Sequence, residues 1–311
     1  MGGYNVAIVG VTGMVGQAFI RVLLERKFPV KSWKMLASAR SADKKVEAGG
    51  KYYPIEEACP DSFAGVDFAF FSAGGEISEI LAPEAVKKGA VVVDNSSAFR
   101  MDPQVPLVVP EVNPEAARRH HGLIANPNCS TIQMVVALQP LHLAAGLKRV
   151  VVATYQSVSG AGKEAVDELI AQSGAVLAGQ EAVKERIPYK GAQRHHQIAF
   201  NMVPQIDVFV EDDYTKEEMK MIQETRKIMG LPALPVTATT VRVPVFNGHC
   251  EAVNVELNGP LSPQEARQLL KDFPGVVVMD DPAELAYPMP LQTEGRDEVS
   301  LGRIRYDRSG P

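Results

Sequence analysis

The feature that most constrains this chain is the order of apolar runs in its first 127 residues. YNVAIVG (4–10), SWKMLAS (32–38), VDFAFFSA (66–73), AVVVDNS (90–96) and GLIAN (122–126) are strand-length. Between them lie helix-like stretches, among them GMVGQAFIRVLLERK (13–27) and EILAPEAVKKG (79–89). Strands that are apolar throughout, rather than at alternate positions, are buried on both faces, and helices between them are the means of covering both sides of a parallel sheet. This half therefore reads as a doubly wound α/β unit. From about residue 128 the pattern changes to STIQMVVALQPL (130–141), LKRVVVATYQSVSG (147–160), TKEEMKMIQETRKIMG (215–230), VTATTVRVPVF (236–246) and CEAVNVELNG (250–259). That mixture predicts an α+β unit with a mixed or antiparallel sheet, in which the last two runs read as paired strands. The expected boundary falls at the NPN of 126–128, giving domains 1–127 and 128–311.

A chain of 311 residues with 46% hydrophobic and 22% charged content is long enough for two cores. Its net charge of −5 argues against nucleic acid or an anionic membrane as a partner. The sequence enters a strand pattern directly, with no leader pattern and no run of spanning length, which predicts a cytoplasmic protein. Cys59, Cys129 and Cys250 are odd in number and far apart, so neither a disulfide framework nor a metal site is expected.

Gly10, Gly13 and Gly16 in VAIVGVTGMVGQAFIRVL form a GxxGxxG variant of the Rossmann-type dinucleotide fingerprint. Glycine allows the tight turn and a close backbone approach to a pyrophosphate, and the helix start offers unpaired N–H groups. At the end of the second strand an NAD enzyme tends to carry an acid for the ribose 2′-hydroxyl. Here LASARSADKK has Ser38, Arg40 and Ser41, with no carboxylate before Asp43. A guanidinium and hydroxyls suit a 2′-phosphate, so NADP is favoured over NAD. The alternative is a solvated basic loop.

IANPNCSTIQMVVAL places Cys129 at or just before the first turn of an apolar helix. Free cysteine commonly packs as a small hydrophobe, but a helix start also stabilises a thiolate. Of six histidines, His249 in VRVPVFNGHCE is the candidate proton-transfer partner. His120, His121, His195 and His196 lie in polar or basic runs that suggest the surface, and His142 is expected to pack on its own helix.

GVTGMVGQ, SARS, VDNSSAFR, NPNCST, QSVSGAG and VRVPVFNGHCE, in this order and over nearly the whole chain, resemble the aspartate-β-semialdehyde dehydrogenase family. The resemblance implies NADPH-dependent reductive dephosphorylation of L-aspartyl-4-phosphate to L-aspartate 4-semialdehyde. It implies Cys129 as nucleophile, His249 as general acid/base and Gln156 as the residue that orients the substrate. Arg242 would hold the substrate carboxylate, Glu217 its ammonium, and Lys220 with Arg100 its phosphate. Glu217 and Lys220 are three apart and share a helix face; alone, such a pair reads as a solvated ion pair. Cofactor contacts carried over are Gly10, Thr12, Gly13, Met14 and Val15 in the turn, then Ser38, Arg40 and Ser41, with Ser72, Gly74, Asn95, Ser159 and Gly160 beyond. A homodimer or a dimer of dimers is implied.

Family members continue past the LGRIRYD pattern (301–307) into a segment that includes a further helix, whereas this sequence ends at RSGP. Two rival readings remain at this point. An N-acetyl-γ-glutamyl-phosphate reductase would carry an HPGCYPT-like segment, which NPNCST does not match. A non-catalytic nucleotide-binding paralogue is disfavoured by Cys129, Gln156, Arg242 and His249 occurring together.

Overall fold

A computed structural model describes residues 2–309 and divides between Pro127 and Asn128 into two compact units. The first contains β1 (Tyr4–Val9), α1 (Met14–Glu25), β2 (Val30–Ala37), β3 (Lys45–Ala48), β4 (Lys51–Glu57), β5 (Phe68–Phe71), α2 (Gly75–Lys87), β6 (Val91–Asp94) and β7 (Leu123–Ala125). Its seven strands are ordered β3-β4-β2-β1-β5-β6-β7, and all neighbours are parallel except β3 with β4. The central strand β1 is buried from Val6 to Val9, as its unbroken apolar run requires. Residues on one face of the sheet pack with Leu81, Ala82 and Ala85 of α2, and those on the other with Ile20 and Leu23 of α1.

The antiparallel edge hairpin departs from the wholly parallel expectation. Gly49 and Gly50 join β3 to β4 with φ of 58° and 76°, the positive values that a two-residue hairpin turn needs at both central positions. The Gly-Gly between VEA and KYY was the available signal.

The second unit contains α3 (Cys129–Ala145), β8 (Leu147–Gln156), α4 (Lys163–Leu177), α5 (Lys216–Met229), β9 (Val236–Arg242), β10 (Cys250–Leu257), α6 (Pro263–Lys271), β11 (Val276–Val278), α7 (Pro290–Thr293) and β12 (Val299–Leu301). The main sheet is mixed, in the order β10-β8-β9, with β8 parallel to β9 and antiparallel to β10. The runs expected to pair with one another, β9 and β10, therefore lie on opposite sides of β8. The seven residues between them, 243–249, form a crossing rather than a hairpin turn, and β8 is the longest strand available to template both.

 Ten residues of β8 accept β9 along one edge and β10 along the other, so neither partner needs the other for its backbone hydrogen bonds. Helices α3 and α5 cover this sheet, with Met134 and Leu138 packing beside Met221 and Ile222 over Val150, Val152, Val236 and Ala238.

Candidate active site

In the first unit, the sequence 10–16 makes a turn that only glycine can complete. A Cβ on Gly10, whose φ is 86°, would lie 2.3 Å from the Ser72 carbonyl oxygen, and one on Gly16 would lie 2.3 Å from the Gly10 carbonyl oxygen. Gly13 is the N-cap of α1 and makes no side-chain cap, and the first turn holds no acidic residue. Thr12, Met14 and Val15 are exposed there. An uncapped helix start without nearby carboxylates, on a turn free of side-chain bulk, fits a pyrophosphate. After β2 the chain makes a short 3₁₀ turn over Ala39–Ser41 with Ser38 as its N-cap; Ser38 and Arg40 are exposed and Ser41 is half-buried. Gly74 caps α2 at a φ of 94°, with open space around it, and Ser72 is half-buried. Asn95 follows β6, where its Oδ1 accepts from Asn126 Nδ2 at 2.7 Å. Arg100 is buried, and its Nε and Nη2 donate to the carbonyls of Asn126 and Asn95, each at 2.9 Å.

In the second unit, strand pairing assembles the remaining candidates. The last rung of the β8/β9 ladder sets Gln156 beside Arg242, and the first residue of β10, Cys250, pairs with Tyr155. His249, just ahead of β10, thus arrives at the same end of the sheet. Cys129 is the first residue of α3 and is exposed, while Asn128, Ser130 and Thr131 around it are buried. Its Sγ lies 3.2 Å from His249 Nε2. Asn128 caps the helix: Oδ1 accepts from the N–H groups of Ser130 at 3.0 Å and Thr131 at 3.1 Å. Two carboxylates of α5 hold Asn128 in turn, Glu224 accepting from its N–H at 2.6 Å and Glu217 from its Nδ2 at 2.8 Å.

Glu217 and Lys220 share a face of α5 and form an ion pair of 3.1 Å. Lys220 also meets Asp207 at 3.1 Å. Burial works against the charge of Glu217, but Lys220, Asn128 and Gln156 together hold its carboxyl below the ordinary range. Burial likewise opposes the Lys220 charge, and Glu217 with Asp207 overcomes it and raises the ammonium. The pair is therefore a buried, neighbour-sustained unit, unlike a solvated surface bridge. Gln156, buried at the end of β8, donates to Ser130 Oγ and, at 3.2 Å, to Glu217 Oε1.

Arg242 is buried; its Nη1 donates to the Ser157 carbonyl at 2.7 Å, and its Nε has no hydrogen-bond partner among the described residues. Burial depresses its basicity, while Glu217 and Cys129 oppose that effect. Burial, then the Arg242 charge, push the His249 imidazole down to about 4, against a smaller pull from Glu217. His249 is consequently neutral at pH 7. A Cβ on Gly160 would lie 3.0 Å from Arg242 Nη1 and 3.3 Å from His249 Cε1, so glycine there leaves room for both side chains. Ser159 Oγ lies 3.0 Å from Ser157 Oγ.

Sequence reasoning missed Asn128, Ser130, Ser157, Asp207 and Glu224. Asn128 had a signal, an Asn ahead of an apolar helix, which marks an N-cap. The others are ordinary polar residues until folding places them. His142 does serve its own helix end, accepting from the Leu147 N–H at 3.2 Å. Among the described residues there is no cluster of three or more metal-ligating side chains, and no helix is long and apolar enough to cross a membrane.

Residues 5–120 match the family model described as semialdehyde dehydrogenase, NAD binding domain, and residues 138–311 the one described as semialdehyde dehydrogenase, dimerisation domain. A doubly wound nucleotide-type sheet and a unit carrying a cysteine against an imidazole are, in class, the two parts of a semialdehyde dehydrogenase. Within that class, the chain belongs to the aspartate-semialdehyde dehydrogenase family. It is 53% identical over 306 residues to aspartate-semialdehyde dehydrogenase of Bacillus subtilis, covering 98% of this chain and 88% of that protein. It is 55% identical over 310 residues to the Aquifex aeolicus enzyme of that name, covering 98% and 89%. The crystal structure of aspartate semialdehyde dehydrogenase II from Vibrio cholerae superposes with a TM-score of 0.92 at 46% identity, over 99% of this chain and 90% of that one. A second structure of that Vibrio protein, complexed with ASA, matches with a TM-score of 0.92 at 45% identity.

Proposed function

We propose that this chain catalyses the NADPH-dependent reductive dephosphorylation of L-aspartyl-4-phosphate to L-aspartate 4-semialdehyde, a step toward lysine, methionine and threonine. The observation that carries the reading is the Cys129 sulfur 3.2 Å from His249 Nε2, in a chain about half identical to enzymes that bear this name. The Cys129 thiolate attacks the acyl carbon, and the bond to phosphate oxygen breaks to leave a thioester on the sulfur. Bound NADPH supplies the hydride that reduces this thioester. The carbon–sulfur bond then breaks, releasing the aldehyde and regenerating the thiolate. His249 acts as a hydrogen-bond donor at the sulfur and as acid/base at the oxygen of each tetrahedral adduct.

Arg242 is proposed to hold the substrate carboxylate, and its unmatched Nε–H is a donor that such an acceptor would satisfy. Glu217 would take the ammonium, Lys220 and Arg100 the phosphate, and Gln156 would orient the acyl group. Residues 1–127 are proposed as the NADP-binding domain: Gly10, Thr12, Gly13, Met14 and Val15 for the pyrophosphate, Ser38, Arg40 and Ser41 for the 2′-phosphate, and Ser72, Gly74 and Asn95 beyond. Residues 128–311 are proposed as the catalytic and dimerisation domain, with Ser159 and Gly160 toward the nicotinamide. The assembly would be a cytoplasmic homodimer or dimer of dimers.

The test runs the reaction in reverse, with aspartate semialdehyde, phosphate and NADP giving NADPH. The chain should be active, and Cys129→Ser should lose roughly 10⁴-fold or more in kcat while still binding NADPH. A serine variant as active as its parent would remove the covalent mechanism. Turnover of N-acetylglutamate semialdehyde in place of aspartate semialdehyde would assign the chain to the rival reductase chemistry.

A further inference from the structure

His249 Nδ1, the nitrogen turned away from Cys129, meets a single residue twice. The main-chain N–H of Ser157 donates to it at 3.0 Å, and Ser157 Oγ lies 3.1 Å from it. The same residue's carbonyl accepts from Arg242 Nη1 at 2.7 Å, and its hydroxyl is 3.0 Å from Ser159 Oγ. Ser157 is wholly buried.

These contacts differ in what they permit. A main-chain N–H can only donate, so the atom opposite it must present a lone pair. A neutral imidazole has one N–H, which is then on Nε2, the nitrogen facing sulfur. A hydroxyl can turn: it donates to a bare Nδ1 and accepts from a protonated one. We propose that Ser157 is a positioning residue for the reaction assigned above, on which this inference rests: its N–H fixes His249 as the Nε2–H tautomer, and its hydroxyl, backed by Ser159, accommodates a second ring proton on Nδ1.

The tautomer decides what the pair can do. With Nδ1 held as an acceptor, moving the cysteine proton onto the ring would set N–H against N–H. The resting nucleophile is therefore not a thiolate–imidazolium pair. Negative charge on Cys129 is stabilised instead by the Nε2–H bond, by Arg242 and by the start of α3. The titratable and charged groups facing the ring are Cys129, Arg242 and Glu217. The low value of His249 agrees with a ring that resists a second proton. Nε2–H is at the same time ready to bond an adduct oxygen without first acquiring a proton.

The experiment is nitrogen-15 NMR on the whole protein with labelled histidine, His249 being assigned by its loss in His249→Asn. At pH 7, Nδ1 should give the signal of an unprotonated ring nitrogen and Nε2 that of a protonated one. A dominant Nδ1–H or doubly protonated ring would overturn the proposal. Ser157→Ala keeps the N–H and removes the hydroxyl, so the tautomer should persist while the doubly protonated fraction at pH 5 falls about tenfold. An unchanged fraction would overturn the role given to the hydroxyl. Neither readout depends on turnover; the reaction itself stands or falls with Cys129→Ser.

Discussion

The glycine turn of the first unit and the cysteine cluster of the second solve opposite problems. The turn is contiguous, running from Gly10 to Gly16, and its shape follows from backbone sterics and the start of one helix. The cluster draws Cys129, Gln156, Ser157, Glu217, Arg242 and His249 from four elements and the loops beside them, and each member is held by another. The turn presents the uncapped start of α1 and little side-chain chemistry. With Lys220, the cluster instead confines two cations and a carboxylate where burial works against each charge and the opposite charges beside it oppose that effect. A local site can be damaged at one position and lose affinity alone, whereas a distributed site should lose its chemistry when one member goes.

The largest effect expected in this contrast is at His249. His249→Asn should lower kcat by roughly 10²–10⁴-fold in the reverse assay and leave NADPH affinity, measured by fluorescence titration, unchanged. Loss of both together would break the separation of the two regions. Next is Arg40→Ala, which removes one charged hydrogen-bonding group and should weaken NADPH about 10–100-fold while sparing NADH. Equal weakening of the two cofactors would show that Arg40 does not read the 2′-phosphate.

The smallest effect concerns a carboxyl outside the proposed chemistry. Glu251 on β10 is pushed up to about 8 by burial, against the bond it accepts from Gln133 at 2.7 Å. A folded value above the unfolded one means that its contribution is complete below the unfolded value and is lost as pH rises through about 8. Glu251→Gln has no proton to lose, so the drop in Tm between pH 6 and pH 9 should shrink by roughly 2–4 °C. An unchanged drop in a thermal melt would place that pH dependence elsewhere.

Much of the first unit was legible because its signals are short-range. An unbroken apolar run such as VAIV can only be satisfied by cover on both faces, and the glycines after it mark the turn by what they lack. The β3–β4 edge escaped notice because Lys51–Glu57 is mostly exposed and carries no strong apolar pattern. In the second unit, Cys129 and His249 stood out by residue type, and Glu217 with Lys220 by spacing. Their partners did not, since Ser157 or Glu224 has no chemistry that distinguishes it from any other serine or glutamate in the chain. The adjacency of β9 and β10 was misjudged for a related reason: pairing is a choice among edges, and sequence order is a weak guide when a longer strand competes for both.

Sequence alone determined the class of each unit, the place of the glycine turn and the cysteine that opens an apolar helix, because apolar periodicity, backbone sterics and residue chemistry act over a few neighbours. Only the tertiary structure decided that residues 120 positions apart meet at 3.2 Å, which nitrogen of His249 faces the sulfur, and which charges are sustained by partners. Those are set by strand register and by burial, which shift the energies of protons and ions only once the chain has closed around them.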